Sequence, residues 1–380
     1  MRRVLHIIVG LDVGGAELML TRLVESASRR PGDYRHIVVS LTGPGALGAR
    51  LQAAGVEVHQ IGMRGVRSVP VALFRLVALI RRLRPDIVQS WMYHADLLGG
   101  LAARLAGVRL VVWGVRTTEV TGREARATRW VRQLCAWLSH VIPRRIVCAA
   151  EASRRFHEAL GYCAHRMVVV NNGFDLDVLH APASEIAALR AQCGWGPEAV
   201  VVGTLGRFHP DKDPGNFVRA AALLAPQFPT LRFLMVGRGC DSSNHELVRW
   251  IAGSGHADRF ALLGQRSDVP ACLAVMDVFC LPSRTEGFPN VLGEAMAMRR
   301  PCVSTDAGDA ALLLGDCGKV VPRQDAGRLA EGLADMLRLS ATARAAEGER
   351  GRMRVQAWYT MARAREQFEA LYGELLSQVT

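Results

Sequence analysis

The sequence predicts an α/β protein built from two doubly wound parallel sheets. Three observations carry this prediction: the length, a strand–helix alternation along the whole chain, and one loosened stretch near the middle. A chain of 380 residues, half of them hydrophobic and 22% charged, can form two domains of ordinary size. Alternating strands and helices are typical of parallel sheets with helices on both faces. We therefore place an N-terminal domain at residues 1–175 and a C-terminal domain at 180–354.

Apolar runs of strand length mark seven strands in the first half and five in the second. In chain order the predicted strands are Val4–Val9, His36–Leu41, Val56–Ile61, Ile87–Ser90, Leu110–Val115, Arg145–Cys148, Met167–Val170, Val200–Leu205, Arg232–Val236, Phe260–Leu263, Val278–Leu281 and Pro301–Ser304. A last amphipathic helix is predicted over about 355–376. It carries Trp358, Phe368, Leu371 and Tyr372.

The first candidate site is a basic loop after the strand Val200–Leu205. Only two of the 47 basic residues are lysines, and one of them, Lys212, lies in the segment G-R-F-H-P-D-K-D at 206–213. Arg207 offers planar forked contacts and Lys212 a compact movable charge, a combination that suits a diphosphate. The alternative is a surface loop with two ordinary cations, and this segment alone favours neither.

A second segment, P-S-R-T-E-G-F-P-N-V-L-G-E-A-M-A at 282–297, follows the strand Val278–Leu281. Gly287 and Pro289 break the chain, and a helix is predicted to begin near Asn290. The unpaired N–H groups of a helix start, helped by the helix dipole, favour an anion. The predicted donors are the N–H groups of Asn290, Val291 and Leu292.

Two glutamates flank this predicted anion site. Glu286 lies in the loop before the helix and Glu294 about one turn inside it. Carboxylates do not hold phosphate, but they are good acceptors for sugar and ribose hydroxyls. The alternative is a capping glutamate and a solvated one. Their place beside an anion-binding turn, downstream of an Arg/Lys loop, favours a ligand site at the carboxyl ends of the strands.

The spacing of the two glutamates resembles the Glu-x7-Glu motif of retaining GT-B glycosyltransferases, the glycogen-synthase-like group called glycosyltransferase family 4. The resemblance covers nearly the whole chain and is strongly specific for the family but weakly specific for substrate. Its six segments are V-G-L-D-V-G-G-A-E (9–17), W-M-Y-H-A-D-L (91–97), V-N-N-G-F-D (170–175), G-R-F-H-P-D-K-D (206–213), L-L-G-Q-R-S-D-V-P (262–270) and E-G-F-P-N-V-L-G-E-A-M (286–296).

The resemblance implies a GT-B fold, two Rossmann-like domains facing an interdomain cleft, and a site built from both. In the first domain it places Gly14 and Gly15 near the donor phosphates and sugar, with Glu17 orienting that loop or capping its helix. The pattern G-x-x-x-G-G is not the dinucleotide G-x-G-x-x-G, so a nicotinamide site is not favoured. His94 resembles a family histidine that hydrogen-bonds the donor sugar. The alternative is a satisfied, partly buried side chain beside Tyr93.

Arg116 ends another strand of the first domain, in V-V-W-G-V-R-T-T-E. We expect it either to contact an acceptor phosphate or to pair with Glu119, rather than to take part in catalysis.

In the second domain the resemblance gives Glu286 the catalytic place beside the donor sugar. It implies a retaining transfer from a nucleotide diphosphate sugar, with UDP-hexose as the commonest donor of the family. No divalent metal and no cofactor beyond the co-substrate is expected. The donor-binding residues on this side are Arg207, Lys212, Gly287, Phe288, Asn290, Val291, Leu292 and Glu294.

The positive charge is confined to the first half of the chain. Residues 1–180 hold 25 arginines against 13 acidic residues, whereas residues 181–380 hold 22 of each sign. This predicts an anionic partner for the first half, either a phospholipid surface or a lipid-phosphate acceptor. A polyprenyl-diphosphate-linked saccharide fits this charge, although the residues themselves do not specify it. Surface polysaccharide assembly suits such an acceptor.

The stretch 123–145 combines arginines with Trp130, Leu134, Trp137 and Val141 at helical spacing. It resembles an interfacial helix, and the alternative is a packed helix with snorkelling arginines. Nucleic acid is not expected as a partner, because there is no aromatic ribonucleoprotein motif and no recognition-helix signal.

The remaining expectations concern compartment and competing activities. Nine cysteines without a C-x-x-C pair, no secretory signal and no membrane-spanning stretch favour a cytoplasmic protein, peripheral at the membrane. A sugar-nucleotide epimerase, a phosphorylase or a non-catalytic basic binder on the same fold are the alternatives. A phosphorylase needs a cofactor lysine, and neither Lys212 nor Lys319 is suitably placed. Arg299 stands where the family usually has glycine, which puts the end of that helix in doubt.

Overall fold

The computed structural model describes residues 1–29, 32–118 and 126–378. The chain divides into two compact units. Unit 1 comprises 1–118, 126–173 and 361–378, and unit 2 comprises Phe174–Thr360. Each unit is an α/β domain with its own sheet.

Unit 1 alternates strands and helices from its first residues. Its elements are β1 (Arg2–Ile8), α1 (Gly15–Arg29), β2 (Tyr34–Ser40), α2 (Gly45–Ala53), β3 (Glu57–Gln60), α3 (Val69–Leu83), β4 (Ile87–Trp91), α4 (Tyr93–Leu105), β5 (Val111–Val115), α5 (Arg126–Leu138), β6 (Arg145–Cys148), α6 (Glu151–Ala159) and β7 (Met167–Val169).

Unit 2 repeats the alternation, and one further helix follows it. The elements are α7 (Ala183–Gln192), β8 (Val200–Leu205), α8 (Pro214–Leu224), β9 (Leu231–Val236), α9 (His245–Gly253), β10 (Phe260–Leu262), α10 (Val269–Val275), β11 (Val278–Leu281), α11 (Asn290–Ala297), β12 (Cys302–Thr305), α12 (Ala310–Leu314), β13 (Lys319–Val321), α13 (Ala326–Arg338) and α14 (Ala341–Trp358), with α15 (Met361–Ser377) in unit 1.

Both sheets are parallel and follow the same plan. The strand order is β3-β2-β1-β4-β5-β6-β7 in unit 1 and β10-β9-β8-β11-β12-β13 in unit 2. The prediction of two doubly wound parallel sheets is confirmed. In each sheet the order reverses between two neighbouring strands, β1 and β4 in unit 1 and β8 and β11 in unit 2. Crevices at the carboxyl ends of such strands are where open α/β sheets bind ligands.

Apolar side chains cover both faces of the unit 1 sheet. One cluster joins α3, α4 and α5 to the strands through residues such as Leu76, Ala102 and Cys135. The other joins α1, α2 and α15 through residues such as Leu20 and Phe368. Helices on both faces explain why the strands form near-continuous apolar runs.

The predicted final helix is wrong, because the segment is two helices rather than one. α14 ends at Trp358 and α15 begins at Met361. At the break, the carbonyl of Tyr359 accepts a hydrogen bond of 2.8 Å from the N–H of Phe174, and Thr360 pairs with Phe174 as an isolated bridge. No glycine or proline marks the break, since a partner almost 190 residues earlier in the chain creates it.

Strand β13 was not predicted. It has only three residues, Lys319 to Val321, and pairs with β12 at the edge of the sheet. A strand of three residues, two of them exposed, is too short to show the alternation of apolar and polar residues that predicts a strand.

Candidate functional site

The predicted donor residues of unit 2 lie in two loops at the reversal of its sheet. Arg207 and Lys212 follow β8, and Glu286 follows β11. The two strands are neighbours. Because carboxyl ends of parallel strands meet at one edge of a sheet, the structure brings these residues together as the sequence predicted.

Backbone geometry directs the loop after β8. Residues Pro210–Lys212 form one turn of 3₁₀ helix, and Asp213 then takes a left-handed conformation with φ of 43°. The Asp213 side chain accepts a hydrogen bond of 3.2 Å from the N–H of Asn216 and so caps α8. Gly206 has no side chain, so the stem of Lys212 packs over its backbone. The turn therefore aims Lys212 back along the end of β8.

Lys212 and Glu286 are bonded to each other. Their Nζ and Oε1 atoms lie 2.5 Å apart, and the Ser283 hydroxyl donates to the same oxygen at 2.7 Å. The side chain of Lys212 is 28% exposed and that of Glu286 is 8% exposed. The pair therefore combines one solvent-reachable cation with a nearly buried carboxylate, although the two residues are 74 positions apart in sequence.

A second set of bonds ties the same two loops. The Arg284 guanidinium donates to both Asp213 carboxylate oxygens, at 2.9 and 3.3 Å. The N–H of Arg284 donates to the carbonyl of Asp211 at 2.8 Å. Sequence reasoning missed both Asp213 and Arg284. Each residue lies in a segment already identified as a candidate site, but nothing in the sequence indicated that Asp213 and Arg284 form an ion pair.

Arg207 is the exposed cation of the site. Its guanidinium lies 4.0 Å from the Asp211 carboxylate, which also accepts a contact of 3.1 Å from His209. A long contact in solvent contributes little stability, so Arg207 can reorient toward an anionic ligand at small cost.

The turn that carries Glu286 is closed by a third loop, after β12. Gly308 has a φ of 58°, and a Cβ there would overlap the carbonyl oxygens of Glu286 and Gly287. The N–H of Asp309 donates to the Gly287 carbonyl at 3.0 Å. Gly308 was not predicted as a site residue. It lies in T-D-A-G-D-A-A, where the glycine is the signal of a close backbone approach.

Helix α11 begins at Asn290, as predicted, but its first turn corrects one part of the anion site. The N–H of Leu292 donates to the Pro289 carbonyl at 3.0 Å, and the Leu292 side chain is fully buried. This N–H is therefore used inside the first turn and is not available to a ligand. Asn290 and Val291 remain the candidate donors, and Glu294 lies one turn along the same helix, partly exposed.

Phe288 supports α11 from below. It is buried and stacks on Phe174 with ring centroids 6.1 Å apart, and Tyr359 packs on its other side at 5.8 Å. A Cβ at Gly293 would overlap the Phe174 ring. Phe288 thus acts through packing, and Phe174, quoted only as part of a motif, fixes the position of the helix.

In unit 1, Gly14 and Gly15 lie at the reversal of the other sheet, after β1. Helix α1 begins at Gly15, and the carboxylate of Glu17 folds over Gly14 so closely that a Cβ there would overlap it. Burial raises the pKa of Glu17. Glu17 thus lies against the glycine turn, a position from which it can orient this loop.

His94 follows the neighbouring strand, β4, and is held by a strained turn. Met92, which precedes α4, has a φ of 73°, a conformation that costs a non-glycine residue about 1–3 kcal/mol. His94 is exposed in the first turn of α4 and makes no hydrogen bond with the described residues. Partial desolvation lowers the pKa of its ring. A neutral imidazole is therefore presented at the reversal of the sheet.

The structure places Arg116 inside unit 1. Its guanidinium lies over the Trp91 ring, 4.4 Å from the centroid, and donates to Asn172 Oδ1 at 2.5 Å. Burial lowers the pKa of Arg116 to about 10. The expected pairing with Glu119 falls outside the described residues. The Nε and Nη2 atoms of this stacked guanidinium make no hydrogen bond to the described residues, so contact with an acceptor phosphate stays a prediction.

Arg299 ends α11 in the conformation that a glycine would take. Its φ is 57°, and the N–H of the next residue, Arg300, donates back to the Ala295 carbonyl at 2.9 Å. This is the usual glycine-type helix end. Arginine in place of the usual glycine therefore leaves the helix end intact. Its free-energy cost is the left-handed backbone conformation of Arg299.

Two parallel-sheet units, with paired cations and carboxylates at a sheet reversal, define a two-domain α/β protein of the doubly wound class. Residues 13–178 match the family described as Glycosyltransferase Family 4, and residues 199–338 match Glycosyl transferases group 1. The chain belongs to glycosyltransferase family 4 and is a glycosyltransferase.

Individual relatives agree with this family. The chain is 30% identical over 332 residues to 2-deoxystreptamine glucosyltransferase of Streptomyces kanamyceticus, covering 82% of this chain and 81% of the relative. It is 29% identical over 236 residues, 61% of this chain, to the UDP-Gal:alpha-D-GlcNAc-diphosphoundecaprenol alpha-1,3-galactosyltransferase of Escherichia coli. That match spans 60% of the relative's length.

A solved structure shares the fold. Anabaena Alr3699/HepE, crystallised with UDP and glucose, superposes with a TM-score of 0.84 at 21% identity and covers 98% of this chain and 100% of its own.

Proposed function

We propose that this glycosyltransferase moves a hexose, with retention of configuration, from a UDP-sugar to a saccharide acceptor carried on a polyprenyl diphosphate, in surface polysaccharide assembly. The observation that carries the donor part of this proposal is the bonded pair of Lys212 and Glu286 at the reversal of the unit 2 sheet. One member suits a diphosphate and the other a sugar, and they lie within one hydrogen bond of each other.

The cationic side of the pair binds the departing diphosphate. An ammonium has three N–H donors, so Lys212 can keep its bond to Glu286 while donating to a phosphate oxygen. Arg207 adds a reorientable guanidinium, and the start of α11 adds the N–H groups of Asn290 and Val291. Donors aimed at charge that grows in the transition state are worth about 3–4 kcal/mol each in the best cases.

The carboxylate side binds the sugar. Glu286 is held by Lys212 and Ser283 and would lie beside the positive charge that develops at the anomeric carbon, while Glu294 accepts hydrogen bonds from ribose. From unit 1 we assign His94 a hydrogen bond to the donor sugar. The bond from the anomeric carbon to the diphosphate breaks, and the bond to the acceptor oxygen forms on the same face. A donor phosphate oxygen takes the acceptor proton.

We propose that the cationic side chains make a divalent metal unnecessary. Lys212 and Arg207 are suited to neutralise the diphosphate, the task that a metal has in other transferases. Transfer should therefore continue in excess EDTA, and restored activity on adding Mg²⁺ or Mn²⁺ to an inactive, chelated enzyme would overturn this part.

The choice of UDP and of a lipid-linked acceptor rests on the relatives. The E. coli relative is named for UDP-galactose and a diphosphoundecaprenol acceptor, and the Anabaena structure contains UDP. The S. kanamyceticus relative is named for a different acceptor, so the acceptor must be measured.

The two lysines offer a direct test of the donor site. Lys212 is the proposed ligand, and Lys319 pairs with Asp335 on the surface at 2.8 Å and serves as an internal control. Amine acetylation followed by mass spectrometry, with and without UDP, should show protection at Lys212 alone. Equal labelling of Lys212 in both conditions would contradict the assignment.

Thermal shifts with UDP, GDP, ADP, CMP and dTDP extend this test to the base. One nucleotide should raise the Tm of wild type and of Lys319→Ala but not of Lys212→Ala. A product assay with the matching nucleotide sugar then separates transfer from epimerisation. Loss of every shift, with salt-sensitive binding of nucleic acid instead, would favour the non-catalytic alternative.

We propose further that the protein works on the cytoplasmic face of a membrane and rests on it through unit 1. On α5, Trp130 is 74% exposed and Trp137 66% exposed. On α3, which packs on α4 as α5 does, Phe74 is 75% exposed. Acidic residues are rare nearby: 58–118 contains only Asp86 and Asp96, and 126–150 contains none. Exposed aromatics among arginines are typical of surfaces that enter anionic lipid headgroups.

Two further observations bear on this part. Among the helices that the structure describes, none has the length and apolar content to cross a bilayer. All nine cysteines carry free thiols, which suits a reducing compartment.

Vesicle flotation tests the membrane contact. Binding to vesicles that contain phosphatidylglycerol should fall at least tenfold in Trp130→Ser/Trp137→Ser, and should be weak on pure phosphatidylcholine. Trp358→Ser, which removes an exposed tryptophan of unit 2, is the matched control. Equal binding of the double variant and wild type would contradict the membrane part without affecting the donor site.

A further inference from the structure

Unit 1 has a cavity at the amino ends of its strands, the edge opposite to the one that carries the glycine turn and His94. It encloses about 550 Å³. Its wall is formed where the chain enters β1, β4 and β5 and where α3, α4 and α15 end. The lining residues are Arg2, Ile80, Arg81, Arg84, Pro85, Asp86, Ala106, Gly107, Val108, Arg109, Leu110 and Leu376. The proposed transfer uses none of them.

Among the residues that the structure describes, four arginines line this cavity against a single carboxylate. Asp86 is already engaged, because its two oxygens accept from the Arg2 guanidinium at 3.0 Å and from the N–H of Arg3 at 2.8 Å. Arg81 donates to the carbonyl of Leu105 at 2.9 Å. The cavity therefore has three positive charges that no acidic residue of its wall balances.

Two of these arginines differ from the others in their side-chain contacts. Within the described residues, the side chains of Arg84 and Arg109 make neither a hydrogen bond nor an ion pair. Other arginines of the unit, such as Arg75 and Arg104, donate to a carbonyl, and so does Arg81 in the cavity itself. Two unpaired guanidinium groups on one cavity wall indicate an anionic ligand.

The left-handed backbone conformation of Arg84 lowers the stability of the folded chain. Arg84 follows α3 with φ of 47° and ψ of 57°, the left-handed conformation in which glycine is usual at a helix end. A non-glycine residue there loses stability, so this conformation gives no local reason for an arginine. Its place in the cavity wall supplies one.

The positive field continues beyond the cavity wall. Burial, and then the charges of Arg144, Arg166 and Arg109, lower the pKa of Arg104. This neighbouring cluster raises the local potential toward an approaching anion.

We propose that this cavity binds the phosphate groups of an anionic ligand, at a site separate from the donor diphosphate. Planar guanidinium groups pair with phosphate oxygens in a forked geometry, and the volume lies in the range of small-molecule sites. The shared chemistry is a phosphate or diphosphate, and its source is either a soluble metabolite or the headgroup of an anionic lipid. This inference does not depend on the proposed transfer.

The test uses Arg84→Gly/Arg109→Ser. Glycine suits the left-handed position, so the double variant should fold. A matched control, Arg299→Gly/Arg249→Ser in unit 2, removes the same charges through the same replacements, again with glycine at a left-handed position. Lys212→Ala marks the donor site. Inorganic pyrophosphate is titrated calorimetrically against each protein, and flotation is measured with vesicles of phosphatidylglycerol in phosphatidylcholine.

The expected result is two classes of pyrophosphate site in wild type and in the matched control: the donor site, which Lys212→Ala removes, and the cavity site, which Lys212→Ala keeps. In the cavity variant the cavity site should bind at least tenfold more weakly, while the donor site is kept. If the cavity variant, but not its matched control, binds vesicles more weakly, the site is assigned to a lipid headgroup. If the cavity variant binds pyrophosphate more weakly but vesicles normally, the site is assigned to a soluble phosphate. If neither probe distinguishes the cavity variant from its matched control, the proposal is overturned. Loss of all pyrophosphate binding in Lys212→Ala would overturn it too and leave the donor site standing.

Discussion

Units 1 and 2 share one strand plan but use it differently. At the reversal of the unit 2 sheet, charged side chains bond one loop to the next, through Lys212 with Glu286 and Arg284 with Asp213. At the reversal of the unit 1 sheet, a glycine turn and the exposed His94 occupy the equivalent strand ends. Unit 1 instead carries the charge excess of the chain on its surface.

This difference indicates that the fold determines where a ligand can bind, whereas the loops determine which functional groups contact it. A preformed charged site in unit 2 suits a diphosphate that every turnover presents in the same form. Exposed arginines and aromatic rings on unit 1 suit partners that are larger and less uniform. The predictions below test this division of roles.

The largest expected effect is in unit 2, at the carboxylate of Glu286. Replacing it in Glu286→Gln keeps the shape and removes the negative charge beside the reacting sugar, so kcat should fall about 100- to 1000-fold. Nucleotide binding should persist, as measured by thermal shift. Glu331→Gln, at a surface pair of the same unit, is the control, and undiminished transfer by Glu286→Gln would remove the catalytic assignment.

Acid should weaken unit 1 before unit 2. Burial holds the pKa of His36 and His157 at about 4 and lowers that of His6 as well. Because the unfolded chain binds these protons near pH 6.5, stability is lost as pH falls from 6.5 toward 4, by about 1.4 kcal/mol per histidine and pH unit. Asp96 acts in the opposite direction, because burial raises its pKa to about 8 and the folded state therefore binds its proton first. Its contribution offsets the stability lost through one of the three histidines.

Hydrogen exchange measured by mass spectrometry at pH 7 and pH 5, corrected for intrinsic rates, checks this prediction. Peptides from β1, β2 and α6 should lose protection, and those from β8 and β11 should lose less. Equal losses in both units would mean that the buried histidines do not govern the acid response.

The closed turn around Glu286 should resist a single added methyl group. Gly308→Ala would place a Cβ against the Glu286 carbonyl at a positive φ, at a cost of about 2–4 kcal/mol. Gly255→Ala has a φ of 73° but open space around it, so it should cost only about 1 kcal/mol. Denaturant unfolding of the two variants measures the difference, and equal midpoints would show that the β12 loop does not hold the turn.

The smallest expected effect compares the two units directly. Arg84 ends α3 and Arg299 ends α11, both with a positive φ. Glycine at either position should raise stability by roughly 0.5–1 kcal/mol. Arg299→Gly should gain less, because Arg299 also pairs with Glu349 at 2.5 Å. Scanning calorimetry checks the order, and a lower Tm in Arg84→Gly would show that its side chain stabilises the fold.

The sequence by itself determined the alternation of strands and helices, the strands Val200–Leu205 and Val278–Leu281 to the residue, and the start of α11 at Asn290. These features depend on local properties: apolar runs, a proline before a helix, and glycines in tight turns. It also indicated that the predicted donor side chains lie together, because parallel strands bring their carboxyl ends to one edge.

Only the tertiary structure decided how those residues are used. It paired Lys212 with Glu286 across 74 positions, turned Arg116 inward over Trp91, and consumed the N–H of Leu292 within its own turn. It also broke the final helix at Tyr359 and brought together the arginines of the open cavity. Each of these depends on contacts between segments far apart in the chain, which residue type and spacing do not encode locally.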